Sequence, residues 1–428
     1  MIRLIIPCLF LACLVNASVS MAVDAANVVY RSLVASSEVT RFREIQRLSQ
    51  DSGRLSQHLS SVVDALRKHG LDATFDKPPE ASTVALFELI GKQGGDSCES
   101  ALLQLVDQGN PEIAMLAIHQ LGRYQYRQSI DVLAGLAAHD QYQSNYAFRF
   151  TLIRALIEMG HINANHALVR LRHDTDGQLR YHIDTHLNRL TVADFGNDPD
   201  LYNAFKEKLS ASAMSESTDK KATEGKPDSS KSGFFSADSA EPESLKRMRL
   251  KAPEYYGIKI HSKRLLFILD NSGSMKDPWY GQTRLERAKA ELIKAIRELS
   301  GDVEFGIVAF HTRVYQWQAG LVEATESNKD RAIDFVRSLG YGDRTNTYGA
   351  LRRALDYDED LEAVYLLTDG KPTIGELVSH QAILSDILHR NRFRHLNLNT
   401  IGFAVDGFTR EFLKKLAMES GGEFRDSR

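Results

Sequence analysis

From about Val23 to Leu209 the apolar positions of the chain recur at helical spacing. Leu86, Leu89 and Ile90 share one face, and Leu102, Leu103, Leu105 and Val106 share the next. Ile113, Leu116, Ala117 and Leu121 follow, then Ile130, Val132, Leu133 and Leu136, then Phe150, Leu152, Ile153, Leu156 and Ile157. Recurrence at i, i+3, i+4 and i+7 predicts amphipathic helices. Gly91, Gly122 and Gly160, each just after an apolar residue, predict helix stops. Ser37 to His69 predicts two further helices ahead of these. Helix pairs recurring every few tens of residues suggest stacked units that bury their apolar faces only against neighbours.

The pattern then breaks twice. Residues 210–250 alternate serines (Ser212, Ser215, Ser217, Ser229, Ser230, Ser232, Ser236 and Ser239) with Lys, Glu, Asp, Gly and Pro. Phe234-Phe235 is the only strongly apolar pair there, too little to offset the entropy of ordering, so the stretch is expected to be a disordered linker. In 251–428 the period changes. Leu265 to Leu269 is a continuous apolar run, as in a strand buried on both faces. Further strands are expected at Val303–Phe310, Ala363–Leu367, Leu396–Phe403 and Glu423-Phe424. Helices are expected at Arg284–Leu299, Lys329–Leu339, Tyr348–Leu355, Val378–Arg390 and Thr409–Ser420. Alternating strands and helices predict a doubly wound, Rossmann-like parallel sheet covered on both faces. The fold class is therefore α plus α/β: a helical domain over 23–209 and an α/β domain over 251–428.

A length of 428 residues fits two domains plus connecting chain, and 43% hydrophobic residues suffice for real cores. A net charge of −3 gives no long-range attraction to nucleic acid or to an anionic membrane surface. The N-terminus changes the picture more. Arg3 followed by the apolar stretch Leu4–Val15, with Val15-Asn16-Ala17 or Ser20-Met21-Ala22 as a cleavage site, makes 1–22 an expected signal peptide. Leu4–Val23 is about long enough to span a bilayer as an uncleaved anchor. Asn16, Ser18 and Ser20 interrupt that run and favour cleavage. A lipoprotein signal ending at Cys13 fits badly with Phe10 and the short apolar core. Cys8 and Cys13 would leave with the signal, so the mature chain would keep Cys98 alone and form no internal disulfide. The expectation is a secreted or periplasmic, cell-envelope protein with no stable membrane insertion.

The candidate chemistry lies in three loops of the C-terminal part. Asp270-Asn271-Ser272-Gly273-Ser274-Met275 directly follows the first buried strand. Gly342-Asp343-Arg344-Thr345-Asn346-Thr347 precedes the short helix, and Thr368-Asp369-Gly370 ends the next buried strand. In an open α/β sheet, loops at the carboxyl ends of strands line the ligand crevice. Carboxylates and hydroxyls without thiolate or imidazole suit Mg²⁺ or Mn²⁺, and do not favour zinc or copper. Asp-x-Ser-x-Ser, a later Thr and then Thr-Asp-Gly resemble the metal-ion-dependent adhesion site of von Willebrand factor type A domains, over Lys259 to Arg428. The resemblance implies direct metal binding by Ser272, Ser274 and Thr345, with Asp270 and Asp369 acting largely through waters. It also implies an open coordination position for an Asp or Glu from a protein partner. Tyr255-Tyr256-Gly257-Ile258 resembles the lead-in of many bacterial members. Ala81 to Leu190 resembles HEAT-type repeats with irregular periods.

Two features depart from the type A pattern. Arg344 stands where the family commonly has glycine, and either screens the site or helps hold an acidic ligand. Lys276-Asp277-Pro278-Trp279-Tyr280-Gly281 is an insert whose aromatics are either partner anchors or packed, against Trp317 or a neighbouring loop. Other signals are weaker. His182 and His186, four apart, lie near His161, His166 and His173, but lack the glutamate of a zinc-protease helix and read as a solvated face. Gly95-Asp96-Ser97 has the residues of a hydrolase nucleophile block but no preceding strand, and reads as a turn and helix cap. The leading expectation is an exported, non-enzymatic protein that binds a partner through its metal, in adhesion or complex assembly. The alternatives are a metal-independent envelope scaffold and a hydrolase in the helical half using His182 and His186.

Overall fold

Helix follows helix from residue 26 to Asp219, and strands alternate with helices after it. The computed structural model describes residues 26–73, 78–107, 110–219 and 252–427. The expected signal peptide, with Cys8 and Cys13, and most of the expected linker lie outside these residues. The helix Pro199–Asp219 runs ten residues into the serine-rich stretch. Among the described residues no helix is long and apolar enough to cross a membrane. By its contacts the chain divides into two compact units. One holds the chain up to Leu136 together with Arg154–Gly160, and the other holds Ala137–Ile153 and the chain from His161 onward.

In the first unit the predicted apolar faces are the core: Leu86, Ile90, Leu102, Leu105, Leu116 and Leu121 are all buried. Two of the three expected helix stops are corrected. Gly91 and Gly122 lie inside the helices Ala81–Gln93 and Pro111–Arg123. A Cβ at Gly91 would lie 2.7 Å from the Tyr124 ring, and one at Gly122 would strike the backbone of Ala155. These glycines permit close helix approach and do not end helices. Gly122→Ala should therefore destabilise the protein by about 1–3 kcal/mol, the usual penalty for overpacking a core, which a circular-dichroism melt would show. Gly160, by contrast, has φ +55° and follows the helix that ends at Met159, as a stop should. The Ser37–His69 region forms three helices (Glu38–Ser49, Ser52–Gln57 and Leu59–Asp72) where two were expected.

The second unit contains a seven-stranded sheet. In chain order the strands are β1 Glu254–Tyr255, β2 Ile258–Lys259, β3 Arg264–Asp270, β4 Pro278–Trp279, β5 Gln282–Thr283, β6 Glu304–Phe310, β7 Val314–Gln316, β8 Val322–Glu323, β9 Ala363–Thr368, β10 Asn397–Phe403 and β11 Phe424–Ser427. The main sheet runs β11-β10-β9-β3-β6-β7, with β8 also pairing β6. β1–β2 and β4–β5 are separate two-stranded ribbons. From β11 to β6 all pairs are parallel. At the far edge, β7 and β8 run antiparallel to β6. This edge adds to the expected parallel sheet: the three residues between β6 and β7 are too few for a crossover, so the chain must return antiparallel.

The run Leu265–Leu269 is buried for the predicted reason. Leu265, Phe267 and Leu269 pack under the helices Arg284–Glu298 and Glu326–Ser338. Leu266 and Ile268 pack on the other face, with Thr347–Leu355, His380–Asn391 and Gly407–Glu419. The chain leaves central β3 toward β6 on one side and returns to β9 on the other. The crevice between the carboxyl ends of β3 and β9 is thus the topological switch point.

The amino ends of the same two strands carry a buried ionic joint within this unit. Glu362, just before β9, is fully buried. Its Oε1 lies 2.6 Å from Arg264 Nη2, while Oε2 accepts the N–H groups of Gln178 (2.9 Å) and Lys263 (3.2 Å). Gln178 is the second residue of the helix Gly177–Arg189, whose first N–H groups lack helical partners and favour an anion. Arg264 also reaches Asp176 Oδ1 at 2.5 Å. Gly177 has φ +53°, and a side chain there would collide with the Glu362 carboxylate. Tyr181 stacks on His261 at 4.3 Å and Phe150 on His395 at 4.7 Å, so aromatic packing accompanies the ionic contacts.

Candidate metal site at the sheet switch point

All five candidate residues come to the carboxyl ends of β3 and β9. Asp270 is the last residue of β3 and is completely buried. Its Oδ1 accepts the Ser272 backbone N–H at 2.8 Å, and its Oδ2 accepts the Thr368 hydroxyl at 2.5 Å. The turn Gly273–Lys276 brings Ser274 Oγ to 3.2 Å from Ser272 Oγ and lets it donate to Asp369 Oδ1 at 2.6 Å. Thr345 is held on the backbone: its N–H donates to Thr373 Oγ1, and its carbonyl accepts the Thr373 N–H, both at 2.9 Å. Asn346 then caps the helix Thr347–Leu355 by accepting the Gly349 N–H. The loops press together closely, since a Cβ at Gly273 would lie 3.0 Å from the Asp343 carbonyl oxygen.

A glycine keeps the space between the hydroxyls open. A Cβ at Gly370 would lie 3.4 Å from Ser274 Oγ and 3.8 Å from Thr345 Oγ1. Ser274 and Gly370 are half-exposed, while Asp270, Ser272, Thr345 and Asp369 are buried, so the cradle opens to solvent on one side. Burial, and then the charge of Asp369, push the Asp270 carboxyl up to about 7. Burial also raises Asp369, against hydrogen bonds from Ser274 and Arg284. Two neighbouring buried carboxylates and three hydroxyls, with no nitrogen or sulfur, form an oxygen donor set that fits a small hard dication. A cation among them would relieve both the desolvation and the mutual repulsion that raise Asp270.

Two contributors have no assigned role in the sequence reading. Thr368 anchors Asp270 from the neighbouring strand. Arg284 places Nη1 2.8 Å from Asp369 Oδ2 and 3.3 Å from Asp277 Oδ2. Thr368 stands in a loop the motif already marks, but Arg284 begins a helix and carries no sequence signal of its role. Arg344 is exposed and, among the described residues, donates its backbone N–H alone, to Thr312 Oγ1. Trp279 packs on Phe403 (4.9 Å) and not on Trp317, which stacks on Phe305.

Residues 265–371 match the family model of the von Willebrand factor type A domain. This segment is a von Willebrand factor type A domain. Curated relatives include inter-alpha-trypsin inhibitor heavy chain 4 of Mus musculus, 29% identical over 182 residues, or 40% of this chain and 18% of the relative. Another is von Willebrand factor A domain-containing protein 3B of Homo sapiens, 31% identical over 168 residues, or 39% of this chain and 12% of the relative. The chain thus matches less than a fifth of the length of these relatives. Among solved structures, a von Willebrand factor type A protein from Catenulispora acidiphila aligns with 40% of each chain at 22% identity and a TM-score of 0.34.

Outside the type A domain the histidine signals dissolve into packing. His186 Nε2 lies 3.0 Å from Asn165 Oδ1, and His182 Nε2 lies 3.2 Å from Gln178 Nε2 with its ring edge-on to Phe150. Both are half-buried, which corrects the solvated face expected for them. Among the described residues no group of three or more His, Cys, Asp or Glu side chains gathers as for a metal. Gly94 and Gly95, both at positive φ, make the turn before the helix Asp96–Val106. Cys98 is buried.

Proposed function

We propose that the type A domain binds Mg²⁺ or Mn²⁺ and, through it, an acidic residue of a partner protein. The protein's role would be adhesion or complex assembly, not catalysis. The observation that carries this reading is the cradle itself: Asp270, Ser272, Ser274, Thr345 and Asp369 converge, and Gly370, lacking a Cβ, leaves the space beside the Ser274 and Thr345 hydroxyls unfilled. Ser272, Ser274 and Thr345 would hold the ion, with Asp270 and Asp369 supplying the countercharge. The bound ion would supply a positive centre for an incoming carboxylate. With the expected signal peptide, the activity would lie outside the cytoplasm, in a secreted or envelope protein.

A second reading, a metal-independent scaffold, is favoured by one contact: the Arg284 guanidinium already neutralises part of Asp369. Calorimetric titration separates the two. Wild type should bind Mg²⁺ or Mn²⁺ with heat and gain melting temperature with metal. Asp369→Ala should lose the binding, while Thr345→Ala should retain weakened metal binding and impair partner binding. No binding to wild type at millimolar metal would leave the scaffold.

A further inference from the structure

Next to the cradle stands a short ribbon whose tip is built unlike an ordinary surface turn. β4 and β5 pair Pro278 with Thr283 and Trp279 with Gln282, leaving Tyr280-Gly281 as a two-residue loop. Their φ values, +45° and +86°, are those of the tight hairpin turn that strongly prefers Asn-Gly. A tyrosine at its first position puts a bulky side chain in the left-handed region, a strained choice usually seen where function demands it. Tyr280 is also 87% exposed.

The ribbon's root is fixed to the site. Trp279 packs inward on Phe403. The Arg284 N–H donates to the Asp277 carbonyl at 3.1 Å, while the Arg284 guanidinium bridges Asp277 and Asp369. Thr283 Oγ1 lies 2.9 Å from the Tyr341 hydroxyl, and Lys276 Nζ sits 5.6 Å above the Tyr341 ring. Tyr280 follows Asp277 by three residues, so their Cα atoms are within about 10 Å of each other. Between cradle and tip, exposed Lys276 forms no ion pair among the described residues, while the exposed Asp277 beside it is paired with Arg284.

We infer that Tyr280 is a specificity-determining anchor for the protein partner. The partner is an acidic segment that seats its carboxylate at the cradle and an apolar or aromatic side chain, a few residues away, against the Tyr280 ring. This rests on the proposed metal site, which supplies the carboxylate's seat. The unpaired, exposed Lys276 ammonium favours the acidic segment, and an exposed tyrosine is a common anchor of protein interfaces.

The test uses the full chain in Mg²⁺ as bait for short random peptides displayed on phage. Enriched peptides should pair an Asp or Glu with an apolar residue a few positions away. Tyr280→Asn, which restores the preferred turn, should raise the melting temperature, leave Mg²⁺ binding unchanged and weaken those peptides about thirtyfold. Asp270→Asn or a chelator should abolish peptide binding. Peptides that need Asp270 yet bind Tyr280→Asn as well as wild type would overturn the anchor and leave the metal reading standing. Peptides that need Tyr280 but survive chelation would overturn the metal reading and the coupling inferred from it. Failure to enrich any acidic peptide would overturn the inferred partner.

Discussion

Asp270→Asn should abolish Mg²⁺ binding and at the same time stabilise the metal-free protein. Burial, and then the charge of Asp369, push the Asp270 carboxyl up to about 7, where an ordinary aspartate has 3.8. Because the folded value is the higher one, this group's contribution to stability is full below about pH 4 and is lost as pH rises through about 7. Each tenfold change in proton affinity is worth about 1.4 kcal/mol, so at pH 8 the charged group costs up to ~4 kcal/mol. Asparagine keeps an oxygen for the Ser272 N–H and turns its amide toward Thr368, so both contacts survive without charge. The metal-free wild type should therefore melt higher at pH 6 than at pH 8, and the difference should shrink in Asp270→Asn. Metal affinity should run the other way, rising from pH 6 to pH 8 as the proton competing for Asp270 leaves. Melting curves with and without Mg²⁺ at the two pH values test all three statements. A wild type equally stable at both would show that Asp270 is not the charged burden described.

Arg264→Ala should produce the largest loss of stability in the second unit, about 3–5 kcal/mol, because it leaves Glu362 buried without its cation. The remaining donors, the Gln178 and Lys263 N–H groups, compensate only partly. Burial already pushes Glu362 up to about 7, against the pull of Arg264. Without Arg264 it rises further. The destabilisation should thus be greatest at alkaline pH and ease as pH falls and the carboxyl takes a proton. Glu362→Gln should cost less, since it removes the charge and keeps an acceptor for the helix. Urea unfolding at pH 6 and pH 8 gives the measurement; equal losses at both would argue against a charged Glu362.

Some of this was readable along the chain. The buried runs at Leu265–Leu269 and Ala363–Leu367 marked central strands because a strand covered on both faces has no polar alternation. The loop residues Asp270, Ser272, Ser274 and Asp369 were legible because they directly follow such strands, and the fold puts strand ends together. Other features were not. The antiparallel β7 and β8 carry too few residues for a pattern. Gly91 and Gly122 looked like helix stops because a glycine needed for close approach and one needed for positive φ are the same letter.

The sequence by itself determined which positions are apolar and at what period, and so the α-then-α/β order, the central strands and the cluster of oxygen donors at their ends. Periodicity reports that a face is buried, not what buries it. Only the tertiary structure decided that Arg284 reaches Asp369, 85 residues away, and that Thr368 clasps Asp270, 98 residues away. It likewise decided that Glu362 caps the helix beginning at Gly177, that Trp279 turns inward, and that Tyr280 is left in solvent. Those pairings follow from the order in which the strands are laid beside β3, and a contact set by strand order leaves no local trace in the residues that make it.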